Sequence, residues 1–261
     1  MNQNKQKTAL IAALCAAVMV GMLVLSFVLS SNLFQDNNAS VIQLPSQAEN
    51  GGLPDDQTMD IAKENLRKIQ QVVIGTDNVQ AVIAALSRPD AYTLEVTNTL
   101  YWNGDSRDLR CRQSVLRHAY RTETLSQQGA IGQVSLEYAG NFYAWDSGSS
   151  IYYSGRAGML TPDETAMLPS YETVCKLAPE QIAEAALTEI DGQPMIRVLA
   201  NEGTRTAVYV VSTATGLLYR ADFSRDGQPT QTVQTKLIAL SAEEELFILP
   251  GSTQPIFGND P

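Results

Sequence analysis

The sequence predicts an α+β fold: an N-terminal transmembrane helix, then a large curved antiparallel sheet with flanking and inserted helices. Three observations lead there. An uncharged apolar run opens the chain. Long stretches of period-two alternation follow, separated by Asn-Gly and Asp-Gly pairs. Helical stripes and proline-marked helix starts fall only before that alternation and in its middle. The chain then divides into a cytoplasmic tip and anchor at 1–30, a disordered linker at 31–57, and an extracytoplasmic β-rich domain at 58–261.

The anchor comes first. No charged residue occurs from Thr8 to Phe34, and Ala9 to Leu29 is almost wholly apolar. A helix rising about 1.5 Å per residue over that run crosses a hydrocarbon core of about 30 Å. The run exceeds the apolar core of about 7–15 residues usual in a secretory signal, which favours an uncleaved anchor. The alternative is cleavage before Ser31, where Val28 and Ser30 are small enough. Lys5 and Lys7 precede the run, and the next basic residue is Lys63. Positive charge stays inside, so the N-terminus is expected in the cytoplasm and the C-terminal domain outside it. Cys15 follows Leu14 near the start of the run, so it reads as a helix thiol and not a lipidation site. Ser30 to Gln57 is rich in Ser, Asn, Gln, Gly and Pro and lacks the apolar surface to fold.

Two helices are expected next. Ala62, Leu66, Ile69 and Val73 form one stripe; Val79, Val82, Ile83 and Leu86 form a second. Gly75 is expected to end the first, Asp77 to cap the second and Pro89 to stop it. From Tyr92 to Trp102 the period is two, and every even position is apolar except Asn98. Asn103-Gly104 turns the chain into a returning strand that carries Arg107, Arg110, Arg112, Arg117 and Arg121. Further strands are read at Val134–Tyr138, Phe142–Trp145 and Ile151–Tyr153. Thr161-Pro162 starts a helical insert, and Ser170 to Leu177 forms a second short helix. Pro179 to Ala186 reads equally as helix or strand. Hairpins then resume around Asp191-Gly192, Thr215-Gly216 and Asp226-Gly227, giving about eight to eleven strands. So many sequential hairpins favour a half-open barrel.

Eighteen basic and 28 acidic residues leave a net charge of −10, and the chain without Lys5 and Lys7 stands at −12. Such a surface repels phosphate backbones and excludes nucleic acid as a partner. Cys111 and Cys175 are the only cysteines of the folded part, and His118 is the sole histidine. A zinc site of the usual kind is excluded. Two readings of the cysteines stand: a disulfide formed in an oxidising compartment, or two separate buried thiols. His118 is read as a mid-strand residue among arginines. The G-x-S-x-G, H-E-x-x-H, Walker and G-x-G-x-x-G patterns are absent. No catalytic residue, metal ligand or cofactor is therefore assigned, and the domain reads as a non-enzyme. A cell-envelope hydrolase with an unrecognised carboxylate pair is the alternative. The arginines either bind an anionic headgroup or pair with surface carboxylates. The aromatics from Tyr138 to Tyr153 either line a ligand cavity or fill a core.

The order of elements resembles a known family. An N-terminal helix, a long strand and an Arg-rich hairpin lead to Val134–Trp145 and a proline-marked insert. Val208 to Arg220 follows with its Thr-Gly-Leu turn, then Asp226-Gly227 and the closing Phe247-Ile248-Leu249-Pro250. Over Asp60 to Phe257 this resembles the LolA-like lipoprotein-carrier superfamily, which includes periplasmic stress-signalling subunits. The resemblance implies a half-open barrel closed by helices around an apolar cavity for acyl chains. The candidate cavity residues are then Leu94, Val96, Tyr138, Tyr143, Trp145 and Tyr152. The expected partners are the membrane through the N-terminal helix, a lipid or lipoprotein ligand, and a membrane protein. A tethered copy cannot shuttle, which favours a stationary role. The alternative is a signalling or protein-interaction domain with a filled core.

Overall fold

The computed structural model describes residues 56–70, 72–157 and 168–259. The expected anchor, the linker up to residue 55 and the helix expected at Thr161 lie outside the described residues. The chain divides at Glu49/Asn50, and everything described belongs to the second unit. No helix among the described residues is long and apolar enough to cross a membrane.

Two helices, α1 (Asp56–Ile69) and α2 (Val79–Ala85), precede the sheet. Six strands follow: β1 (Ala91–Trp102), β2 (Asp105–Leu116), β3 (Ala119–Leu125), β4 (Ile131–Tyr138), β5 (Asn141–Asp146) and β6 (Tyr153–Arg156). Helix α3 (Tyr171–Cys175) and a 3-10 turn at Pro179–Gln181 lead to the second set. These are β7 (Ile182–Ile190), β8 (Gln193–Glu202), β9 (Arg205–Ser212), β10 (Leu218–Arg225) and β11 (Gln228–Ala239). All pairings are antiparallel in one open sheet, ordered β6-β5-β4-β3-β2-β1-β11-β10-β9-β8-β7. Every neighbour but one is a sequential hairpin. The exception is β1 with β11, which joins the two ends of the fold at the sheet's centre.

Register decides which side chains share a face. Leu94 opposes Gln113 on one side and Leu237 on the other, and Val96 opposes Cys111 and Thr235. Carried across β10, β9 and β8, this face presents Ala221, Tyr209 and Val198. The three helices cover it. Ile69, Val79, Ile83 and Val174 pack onto Leu94, Val96, Val198, Val211 and Val233 in one buried cluster. A fully buried aliphatic side chain contributes about 1.5–3 kcal/mol.

Polar groups seat the helices. Asn65 is fully buried; its Nδ2 donates to the Ser87 carbonyl (2.9 Å) and its Oδ1 accepts from the Ser87 N–H (2.7 Å). Gln80 Nε2 donates to the carbonyls of Val174, Cys175 and Leu177 at the end of α3. Arg88 donates to Ile83 and Leu86 at the end of α2, reaches the Gly216 carbonyl (3.0 Å) and lies 3.6 Å over the Tyr171 ring. Burial holds the Arg88 guanidinium below its ordinary pKa, although neighbouring Tyr171 opposes that shift.

A second cluster lies on the opposite face. Ala119 and Leu136 are fully buried there, with Leu116, Tyr138, Tyr143 and Trp145 around them. The cover is the C-terminal segment, whose Phe247 is fully buried, together with Leu246, Ile256 and Phe257. Thr93 Oγ1 donates to the Ser241 carbonyl (3.0 Å), Arg117 pairs with Glu244 (2.6 Å), and Arg121 Nη1 donates to the Leu246 carbonyl (2.6 Å). The sheet is thus covered on one face over β1 and β7–β11, and on the other over β3–β5.

Several local expectations change. Helix α1 ends at Ile69, so Val73 is off the helix and 91% exposed. Asn78 and not Asp77 takes the cap position of α2, and its side chain bridges the Gly75 N–H and the Val73 carbonyl. The single returning strand from Arg107 to Arg121 is two strands, broken by a tight turn at Arg117-His118 with φ of 48° and 62°. His118 is accordingly an exposed turn residue and not mid-strand. The strand expected at Ile151–Tyr153 runs Tyr153–Arg156 instead.

Gly216 offers a test of how the helices dock. Its φ is +67°, and a Cβ there would stand 2.9 Å from the Ser87 carbonyl oxygen and 2.9 Å from Arg88 Cγ. Gly104 has φ +84° but open space around it. Gly216→Ala is expected to cost about 2–4 kcal/mol and Gly104→Ala about 1–2 kcal/mol. Urea unfolding midpoints compare the two; equal losses would show that the α2–β10 approach yields freely.

Candidate functional site

The helix-bearing face is not filled along its whole length. Where β1 ends and β2 begins, two clefts open on it. One, of 660 Å³, is lined by Asn98, Leu109, Cys111, Leu125, Ile131 and Leu168 among others. The other, of 540 Å³, is lined by Leu100, Leu177, Ala200, Ala207, Tyr209 and Phe223 among others. They adjoin at a polar divider, where Gln231 Nε2 donates to Asn98 Oδ1 across 3.0 Å. Asn98 is 3% exposed, which explains its place in the apolar register of β1: a buried amide needs a partner and finds one on β11. A third cleft, of 430 Å³, lies at the other end of this face beneath α3, beside Tyr92, Tyr120 and Tyr171.

The ionisable groups of these clefts are tuned mainly by burial. Burial pushes the Cys111 thiol up to about 12, with the charge of Glu95 adding to it, so the neutral thiol persists. Tyr209 is raised by burial and then by Glu202, and Tyr92 is raised by burial and then by Tyr120. These phenols stay protonated and serve as hydrogen-bond handles over apolar rings. No cluster of three or more His, Cys, Asp or Glu that could hold a metal occurs among the described residues.

The six cavity residues read from the sequence do not converge. Leu94 and Val96 lie on the helix-bearing face, where Leu94 lines the 430 Å³ cleft and Val96, 2% exposed, is packed into the core. Tyr138, Tyr143 and Trp145 lie on the opposite face under the C-terminal segment. Tyr152 meets Tyr143 edge-on at 5.8 Å and is 40% exposed. The sheet itself separates the two groups. Cys111 and Cys175 are both free thiols; Cys111 faces the 660 Å³ cleft, and Cys175 Sγ lies 3.9 Å from the Gln80 carbonyl.

The arginines divide in the same way. Arg110 pairs with Glu95, Arg112 and Arg121 with Glu123, and Arg117 with Glu244. Arg107 stands apart from them, on the rim of the 660 Å³ cleft. The residues that the sequence reading does not single out are those lining both clefts, Cys111, Arg107 and Arg110 apart. The one sequence signal among them is Asn98 of the 660 Å³ cleft, the only polar residue in the apolar register of β1.

No family model matches the sequence, and no curated protein matches it. Several solved structures are similar to it. An uncharacterised conserved protein from Thermus thermophilus is 12% identical, with 75% of this chain aligned to 98% of that one at a TM-score of 0.39. LprF from Mycobacterium bovis is 11% identical over 71% of this chain and 94% of its own, at 0.31. A LolA superfamily protein from Nitrosomonas europaea is 8% identical over 72% and 97%, at 0.31. A LolA superfamily protein is therefore among the solved structures this chain is similar to.

Proposed function

We propose that the domain is a non-catalytic binding module that holds an amphiphile, a lipid or a lipopeptide, in the two clefts of its helix-bearing face. The observation behind this is the pair of adjoining clefts: the 540 Å³ one is floored by apolar side chains of the sheet, and the 660 Å³ one mixes Leu109, Cys111, Leu125 and Ile131 with polar groups at its rim. Ligand sites are typically about 300–1,000 Å³, apolar, with a few polar groups that fix orientation. The Asn98–Gln231 bond and the Tyr209 hydroxyl are such groups here. Lys5, Lys7 and the uncharged run after them support a location outside the cytoplasm, tethered to the membrane that supplies the ligand. A stationary protein-interaction role is the second reading. It is favoured by Ile151 and Tyr153, 79% and 55% exposed beside the edge strand β6.

Filling the smaller cleft separates the two. Ala207 lines it at the sheet surface, so Ala207→Trp occupies its volume. The full-length chain is expected to bind a fluorescent acyl probe, and the variant to bind it at least about tenfold more weakly with circular dichroism unchanged. A wild-type chain that ignores the probe, or a variant that binds it equally, would sink the cleft reading and leave the protein partner.

A further inference from the structure

Most sheet arginines on the face away from the helices are neutralised: Arg110 by Glu95, Arg112 and Arg121 by Glu123, Arg197 by Glu184, Arg220 by Asp222. Arg156, at the far edge on β6, shares that face and makes no ion pair among the described residues. On the helix-bearing face, Arg205 and Arg225 make no ion pair among the described residues. They also stand directly opposite one another, as the last register pair of β9 and β10. Like charges so placed repel and weaken a sheet. In a chain of net charge −10, carboxylates to relieve that repulsion are abundant. Glu202 opposes Arg205 on β8 without closing to ion-pair distance, and it leaves this corner one positive charge in excess.

Both arginines belong to the lining of the 540 Å³ cleft. Their register neighbours on the same face are Ala207 and Phe223, then Tyr209 and Ala221. The apolar floor therefore begins one register step inside the charged pair. Resting on the cleft reading above, we infer that Arg205 and Arg225 form the anion-recognising mouth of that cleft. Its ligand is an amphiphile with a phosphate headgroup at the arginines and an alkyl chain along Ala207, Tyr209 and Phe223. Two guanidinium groups present donors that suit the several oxygens of a phosphate and replace the repulsion with attraction.

The test uses the full-length chain in phosphatidylcholine nanodiscs, with empty nanodiscs as the blank. Three probes are titrated below their critical micelle concentrations: dodecyl phosphate, dodecylphosphocholine and inorganic phosphate. Dodecyl phosphate is expected to bind about tenfold more tightly than dodecylphosphocholine, and inorganic phosphate far more weakly than either. The Arg205→Gln/Arg225→Gln variant is expected to erase the preference and keep the affinity for dodecylphosphocholine. Arg156→Gln, at the far edge on β6, is expected to leave the preference intact. Equal binding of the two amphiphiles by the wild-type chain would overturn the arginine site and leave the cleft standing. Binding of neither would overturn the cleft with it. Inorganic phosphate binding as tightly as dodecyl phosphate would show a free anion site without a chain channel, and would also overturn the inference. If the double variant does not fold, Arg225→Gln alone decides: an undiminished preference in it refutes the pair.

Discussion

Phe247→Ala is expected to lower stability by about 3–5 kcal/mol, the range for removing a fully buried ring. Phe247 has no exposed surface. It packs 5.3 Å from Phe257, which in turn meets Tyr138 edge-on at 5.4 Å. These rings fasten the C-terminal segment over β3–β5, where few other apolar groups cover Ala119 and Leu136. The 3-10 turn at Glu244–Phe247 is too short to hold itself in place, so the ring must do so. Urea unfolding of the variant against the parent measures the loss, with an unchanged slope showing that the same surface is exposed. Ile238→Ala, at a site 50% exposed, serves as the control and should stay within about 0.5 kcal/mol. A Phe247→Ala loss as small as the control's would mean that the segment is held by its Glu244 ion pair and its hydrogen bonds.

That segment also shows where sequence reading stops. Phe247-Ile248-Leu249-Pro250 was legible as the end of the fold, but not the face it covers. Alternation tells which residues of one strand share a side. It does not tell which side of the next strand matches, because register sets that and a slip of one residue reverses it. Leu94 and Trp145 are therefore equally inward by pattern. They fall on opposite faces only once β1, β2, β3, β4 and β5 are paired residue by residue. The hairpins were legible where chemistry marks the turn. Asn103, Asp191 and Asp226 take φ near +50°, each before a glycine that is also positive. Arg117-His118 adopts the same geometry with neither Asn nor Gly, so nothing local announced it. The Asn78 side chain replaces the helical turn expected before Gly75, and the apolar stripe through Val73 concealed that substitution. The pairing of β1 with β11 joins residues far apart in sequence and has no local signature at all.

Register also orders the charges. This sheet neutralises its outward arginines except Arg156 at the edge on β6, while Arg107, Arg205 and Arg225 make no ion pair among the described residues and gather at one end of the helix-bearing face. That end is where the clefts beside Tyr209 and beside Cys111 open. Composition averages this away, since net charge sums over faces that the fold keeps apart.

The buried pair beneath the C-terminal segment sets the second large expectation. Glu123 is 5% exposed at its side chain and accepts from Arg121 Nε (2.9 Å) and Nη2 (2.7 Å), while Arg112 stands 3.6 Å away. Arg121, 12% exposed, also lies 5.4 Å from the Trp145 ring centroid. Glu123→Ala removes the counter-charge and leaves that guanidinium buried with one carbonyl, Leu246, as its remaining acceptor. The expected loss is about 3–5 kcal/mol, because an uncompensated buried charge costs far more than the pair contributes. The pair of Glu95 with Arg110 on the same face is the comparison. Its side chains are 28% and 33% exposed, so Glu95→Ala is expected to cost about 0–1 kcal/mol. Replacing both buried partners, Arg121→Met with Glu123→Leu, should recover most of the Glu123→Ala loss, since neither charge then needs a partner. Unfolding midpoints of the four proteins decide the matter. Equal losses for Glu123→Ala and Glu95→Ala would show that water reaches Arg121. A double variant no better than Glu123→Ala would show that the ion pair specifies the docking of the segment and does not merely fill it.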